Sequence, residues 1–211
     1  MPSLLSHVVR KLKYGEPVVV VSGLPRSGTS MAMKMLQAGG IALVVDDVRE
    51  ADEDNPKGYF EDERVKDLAE ALDRSWISEA RGKAIKVVSS LLNNLPDTNM
   101  YKVVFMRRDL HEVLASQAKM LVRRGEQHDA SDEEMLRMYR AHLEKVEFQL
   151  RFRSNFDPLF VDYARVLEDP RREAERIAAF VDRGLDLDRM VEVVDARLYR
   201  NRRTETADAA G

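Results

Sequence analysis

Val18-Val19-Val20-Val21-Ser22-Gly23-Leu24-Pro25-Arg26-Ser27-Gly28-Thr29-Ser30 is the stretch on which the reading of this chain turns. The four valines follow Pro17 and form a short β-branched run, which predicts a central strand of a parallel sheet buried on both faces. Helix is expected from Ser30 to Gln37, stopped by Gly39-Gly40, after which Ile41 to Val45 resumes a strand-like run. Between strand and helix, Gly23 and Gly28 let backbone N–H groups converge on an anion, and the helix start adds its positive dipole end. The loop therefore reads as a cradle for a phosphate ester. A glycine-rich turn that only joins strand to helix is the plainer alternative, and it leaves the agreement of strand, glycine spacing and helix unexplained.

Outward from this stretch the α/β rhythm continues. Residues 46 to 58 are polar and acidic, with Asn55-Pro56 and Gly58 as breakers, and read as a surface loop. Val65, Leu68, Ala69 and Leu72 predict a helix whose stripe Trp76 extends. Ala84 to Val88 and Tyr101 to Met106 read as two more buried strands. Leu110, Val113, Leu114 and Leu121 mark a helix ending near Gly125. Ser131 and Glu134 match a capping box that opens a long helix with Met135, Met138, Tyr139, Val146 and Leu150 on one face. Leu159 to Tyr163 reads as a last strand. Two amphipathic helices follow, one with Ala174, Ile177, Ala178 and Val181, the other with Leu187, Met190, Val191, Val194 and Leu198. The expected fold is a three-layer α/β/α arrangement around a central parallel sheet, as a single domain over 1–211. Within it the helical segment around 110–153 either covers a pocket or forms the face of a homodimer.

Composition narrows the classes. The chain has 211 residues, 44% of them hydrophobic, which suits one sizeable core and excludes collagen, low-complexity and disulfide scaffolds. Lys and Arg number 34 against 37 Asp and Glu, so a net charge of −3 gives no bulk attraction for nucleic acid or an acidic membrane. Any anion site must come from local placement of cations. With no cysteine there is no thiol nucleophile, cysteine-ligated zinc or disulfide, which is compatible with a reducing cytosol. The run Leu4 to Val9 is interrupted by Ser6 and His7 and precedes Arg10, Lys11 and Lys13, opposite to a secretory signal. No stretch is long enough to span a bilayer. A cytoplasmic protein is expected, with no nucleic-acid or membrane partner. His7, His111, His128 and His142 are scattered without ligand spacing, so no metal is expected.

Compared with the loop G-x-x-x-x-G-K-[ST], the spacing from Gly23 to Gly28 and Ser30 is kept, but Thr29 stands where the lysine belongs and Arg26 supplies the cation. That weakens the case for Mg²⁺-assisted γ-phosphoryl transfer. Strand, then G-x-P-R-S-G-T-[ST], then helix resembles the 5′-phosphosulfate loop of sulfotransferases that use 3′-phosphoadenosine 5′-phosphosulfate (PAPS). A second stretch, VVFMRRDLHEVLASQ at 103–117, is similar to the family's 3′-phosphate motif through Arg108 and Ser116. A third, VDYARVLEDP at 161–170, resembles the segment whose tyrosine, here Tyr163, helps hold the adenine. The tail around Arg202 and Arg203 looks like the basic loop that closes over the cofactor; as a solvated terminus it would mean nothing. The resemblance implies a P-loop nucleoside-triphosphatase-like fold. It implies PAPS as co-substrate, bound by Gly23, Pro25, Arg26, Ser27, Gly28, Thr29, Ser30, Arg108, Ser116, Tyr163, Arg202 and Arg203. The acceptor would be a small molecule or carbohydrate.

The sequence departs from the family in two places. Many relatives follow a strand lysine, after two positions, with a histidine base, but Lys86 is followed here by Val87 and Val88. A base must come from elsewhere, and Asn55 to Glu61 resembles a bacterial segment in which an acid follows an aromatic pair. That makes Glu61 the base, with Arg26 and Lys86 as the other catalytic residues. The same Glu61, Asp62 and Glu63 would also suit a helix start with no catalytic meaning. Asp46 and Asp47 are weaker candidates, and the acidic loop to Asp54 could meet a cationic acceptor. Met31 stands where relatives often stack a tryptophan on the adenine. The rival readings are an ATP-dependent small-molecule kinase and a nucleotide-binding module without catalysis.

Overall fold

In a computed structural model, residues 13–46, 60–125 and 130–195 are described. The valine run is β1, Val18–Gly23, and every one of its residues is buried. It lies third of five strands in the order β2-β3-β1-β4-β5, with β2 at Leu43–Val44, β3 at Ala84–Lys86, β4 at Tyr101–Arg107 and β5 at Phe156–Asp162. All four pairings are parallel, with Val21 opposite Lys86 on one side and opposite Val104 on the other. Parallel order brings all five carboxyl ends to one edge of the sheet, where the chain must leave to reach each following element.

Alternation along β1 sends Val19 and Val21 to one face and Val18 and Val20 to the other. On the first face lie α1 (Thr29–Ala38), α4 (Tyr163–Glu168), α5 (Pro170–Val181) and α6 (Leu187–Glu192), through Met33, Leu36, Val166, Ile177 and Met190. On the second lie three 3-10 turns, Glu63–Ala69, Ser75–Ala80 and Ser89–Asn94, together with α3 (Asp132–Phe152). Two apolar clusters, one on each face of one sheet, make the expected three-layer α/β/α fold. α2 (Leu110–Arg124) follows β4, capped by Asp109. The Ser131–Glu134 capping box forms as expected. The C-terminal half of α3 belongs to the second layer, because Val146 and Leu150 pack there with Val103, Phe105 and Phe156.

Several expectations are corrected. The helix drawn through Val65, Leu72 and Trp76 is two separate 3-10 turns, with Leu72 fully exposed between them. Local side-chain bonds break it: the Asp73 carboxylate accepts from the Ser75 N–H, and Arg74 Nε donates to the Leu68 carbonyl that a continuing helix would have used. The edge strand is shorter than Ile41 to Val45, β3 ends at Lys86 instead of Val88, and β5 begins at Phe156, so that Tyr163 opens α4. Met138 is exposed, off the buried stripe of α3. Leu198 lies outside the described residues. Among the described residues no helix is long and apolar enough to cross a membrane.

Candidate functional site

The loop leaving β1 is held by contacts that a side chain at its glycines would destroy. Gly23 has φ 152°, and a Cβ there would lie 2.6 Å from the Met106 carbonyl oxygen. Gly28 has φ 98°, and its Cβ would meet the Tyr163 ring at 2.4 Å. Gly28 is also the N-cap of α1, with no side chain closing the first turn. The helix therefore presents its leading N–H groups and positive dipole end at the loop. Ser22 and Ser27, both almost fully buried, have hydroxyl oxygens without a hydrogen-bond partner. Buried polar atoms rarely stand alone, and here one lies at the end of β1 and the other in the turn that the sequence assigns to a phosphate.

Backbone strain marks this loop and the segment leading to Glu61. Among the described residues three other than glycine have positive φ: Arg26 at 69°, Phe60 at 53° and Asp182 at 60°. Asp182 is the ordinary left-handed cap of α5. The other two lie in the loop and immediately before Glu61, positions where such strain marks functional sites.

Side chains then join the loop to the start of α2. Arg26 Nε donates to Ser116 Oγ at 3.0 Å, and Arg108 Nη1 donates to the Arg26 carbonyl at 3.0 Å. Arg108 also pairs with Glu112 at 3.0 Å and lies 4.5 Å over the Tyr163 ring. Tyr163 is buried against Gly28 and Arg108, and burial raises its phenol pKa while the Arg108 charge works against that rise. The structure thus brings together Gly23, Arg26, Ser27, Gly28, Arg108, Ser116 and Tyr163, drawn from three sequence motifs. The Arg26 side chain reaches the serine of the second motif, a cross-link that spacing did not foretell.

A second group lies at the end of β3. Lys86 Nζ is 2.9 Å from Glu61 Oε1 and 3.4 Å from Ser30 Oγ, and the lysine is only 7% exposed. Asp62, not Glu61, is the N-cap of the following turn, and its carboxylate accepts from Arg64 N. The Arg64 side chain holds the Asp62 carboxyl below the usual carboxylate range, the effect of burial being smaller. Asp46 fastens the segment, donating its N–H to the Glu61 carbonyl and accepting from Glu63 N. Nearby, Ser89 Oγ and His142 Nε2 are 2.8 Å apart. Burial lowers the His142 pKa, with the Lys145 charge adding to the effect. Asp46, a weaker candidate base from sequence, fastens the segment that carries Glu61, whereas Glu112 and the Ser89–His142 pair were not singled out from sequence. Only Arg108–Glu112 left a signal, its i,i+4 spacing. Asp47, Asp54, Asn55 to Tyr59, Arg202 and Arg203 lie outside the described residues.

A family model described as the sulfotransferase domain matches residues 16–209. The chain belongs to the sulfotransferase domain family. No curated protein matches the sequence. Solved structures of similar fold include the sulfotransferase domain from the curacin biosynthetic pathway, at 11% identity and TM-score 0.52, covering 85% of this chain and 78% of that one. A sulfotransferase from Alicyclobacillus acidocaldarius is 14% identical, with 82% and 83% covered and TM-score 0.47. Retinol dehydratase in complex with androsterone and inactive cofactor PAP is 19% identical, TM-score 0.47, covering 89% of this chain, which spans 66% of that protein. In this sulfotransferase domain the loop after β1 and the start of α2 lie at the carboxyl edge of the five-stranded parallel sheet.

Proposed function

We propose that this domain transfers a sulfuryl group from PAPS to a hydroxyl or amine of a small-molecule or carbohydrate acceptor, by in-line displacement. The observation that carries the reading is the hydrogen-bonded junction of Arg26, Ser116 and Arg108, which unites two motifs of the family at the mouth of an uncapped helix. The donor set fits a doubly phosphorylated nucleotide: glycines that admit no Cβ, buried hydroxyls without partners and two guanidiniums. The loop amides, Ser27, Thr29 and Ser30 would hold the 5′-phosphate, with Pro25 shaping the turn, and Arg108 and Ser116 would hold the 3′-phosphate. Tyr163, already packed on Gly28 and Arg108, would set the base against the same corner, and the tail with Arg202 and Arg203 would close over it.

PAPS supplies an activated sulfuryl group whose bond to the 5′-phosphate oxygen breaks as the bond to the acceptor oxygen or nitrogen forms. Arg26 and the loop amides would stabilise the charge that grows on the departing phosphate, an electrostatic contribution of about 3 kcal/mol per donor. Glu61 would accept the acceptor's proton, a contribution of roughly 10² to 10⁴ in rate. Lys86, paired with Glu61 and beside Ser30, would bridge base and phosphosulfate. The helices at 110–124 and 132–152 would either wall the acceptor pocket or form the face of a homodimer, and a cysteine-free chain suits the cytoplasm.

Thermal shifts with adenosine 3′,5′-bisphosphate and with Mg·ATP test the nucleotide. Ligand at 100 times its Kd adds about 2.7 kcal/mol of stability, so the bisphosphate is expected to raise Tm where Mg·ATP does not. The reverse order supports a kinase. Turnover of PAPS against a panel of acceptors, read by mass spectrometry, then separates an enzyme from a binding module. Arg26→Ala is expected to lower turnover by about 10²-fold or more with the fold intact; equal turnover refutes the assigned role.

A further inference from the structure

Arg108, assigned above to the 3′-phosphate, forms an ion pair with Glu112, which the transfer as described does not use, and both side chains are nearly excluded from solvent, at 8% and 6% exposure. The guanidinium is fixed on three sides. Its Nε donates to Glu112 Oε2, its Nη1 donates to the Arg26 carbonyl, and its plane lies over Tyr163. Glu112 and Ser116 are one turn apart on α2, itself begun by the Asp109 cap, so the carboxylate stands on the same helix face as the serine hydroxyl. A dianionic phosphate between Arg108 and Ser116 would therefore approach an arginine that already has a buried counter-ion. Two anions sharing one guanidinium away from water repel each other more than they would in solvent.

We propose that Glu112 is the resident counter-ion of the 3′-phosphate subsite, a positioning residue that holds Arg108 in place and weakens the grip on the bisphosphate by charge repulsion. The proposal rests on the nucleotide reading above. Without nucleotide, the pair keeps Arg108 compensated; with nucleotide, Glu112 limits affinity, so the spent bisphosphate is released more readily. In Glu112→Gln an amide oxygen can still accept from Arg108 Nε, but the negative charge is gone. The consequence acts in one direction: the repulsion between the Glu112 carboxylate and the incoming phosphate is removed.

Isothermal titration calorimetry of adenosine 3′,5′-bisphosphate and adenosine 5′-monophosphate tests this. Glu112→Gln is expected to bind the bisphosphate about 3- to 10-fold tighter and the monophosphate within about 2-fold of the unaltered protein. Glu112→Asp, which keeps the charge, is expected to bind the bisphosphate within about 2-fold of the unaltered protein. Unchanged or weaker bisphosphate binding by Glu112→Gln, an equal change for both ligands, or equal tightening in the Asp variant overturns the proposal. An unaltered protein that does not distinguish the two ligands overturns the nucleotide reading instead, whatever the variants do.

Discussion

Two corners of the same sheet edge are built in different ways. At the mouth of β1 the geometry is carried by the main chain: glycines at φ 152° and 98°, an arginine at 69°, a carbonyl that receives Arg108 and a helix start without a side-chain cap. At the end of β3 it is carried by side chains from remote positions: Lys86 meets Ser30, 56 residues away, and Ser89 meets His142, 53 away. A backbone cradle recognises any phosphate of the right shape and tolerates almost no substitution. A side-chain cluster can be retuned one residue at a time, as the proposed function requires of the half of the site assigned to the acceptor.

The largest expected effect breaks the first corner. Gly28→Ala places a methyl against the Tyr163 ring and leaves a side chain at φ 98°, which ordinary residues rarely adopt. We expect a loss of about 2–4 kcal/mol in urea unfolding and no thermal shift with the bisphosphate. If Gly28→Ala kept both, the loop would not be the rigid cradle described. The comparison then sharpens, because conservative changes at the second corner should leave stability nearly intact.

The same contrast explains what could be read in advance. The valine run, glycine spacing and capping box are local, and each became the element it predicted, because short-range sterics and hydrogen bonds decide them. Periodicity failed between Val65 and Trp76, where Asp73 and Arg74 offered the backbone competing partners. The three motifs were legible as motifs, and their convergence followed from parallel strand order. That Arg26 reaches Ser116 was not legible, because it depends on how far the loop folds over α2. Glu61 was ambiguous between helix start and site. Asp62 takes the capping position, leaving the Glu61 carboxylate with Lys86, a partition no spacing rule provides.

The second prediction concerns that pair. Lys86→Met removes the ammonium beside Glu61 and near Ser30 while keeping most of the stem's bulk. We expect a fall of about 10-fold or more in kcat, with the bisphosphate Kd changed by less than about 3-fold. Glu61→Gln is expected to fall by roughly 10² to 10⁴ in kcat with the same small change in nucleotide affinity. If both variants instead lose bisphosphate binding and keep kcat at saturation, the pair belongs to the donor corner and the two-corner division fails.

The smallest effect is expected at Ser89 and His142. Burial, with the Lys145 charge adding to it, lowers the folded-state pKa of the His142 ring below the ordinary value of 6.5. A depressed histidine favours the folded state while neutral. That contribution is complete above the unfolded value and is lost as pH falls from about 6.5 through the folded value. His142→Gln cannot charge, so the fall in urea midpoint between pH 7 and pH 5 should be smaller in the variant than in the unaltered protein, and an identical fall would remove His142 from the acid response. Turnover carries the sharper consequence. With Glu61 as base, His142→Gln retains turnover within about 2-fold, because the ring only fastens α3 to the turn at Ser89. A loss of roughly 10² or more would instead make the imidazole the proton acceptor, and the second corner would then be organised around Ser89 and α3 in place of Lys86 and the strained segment at Phe60.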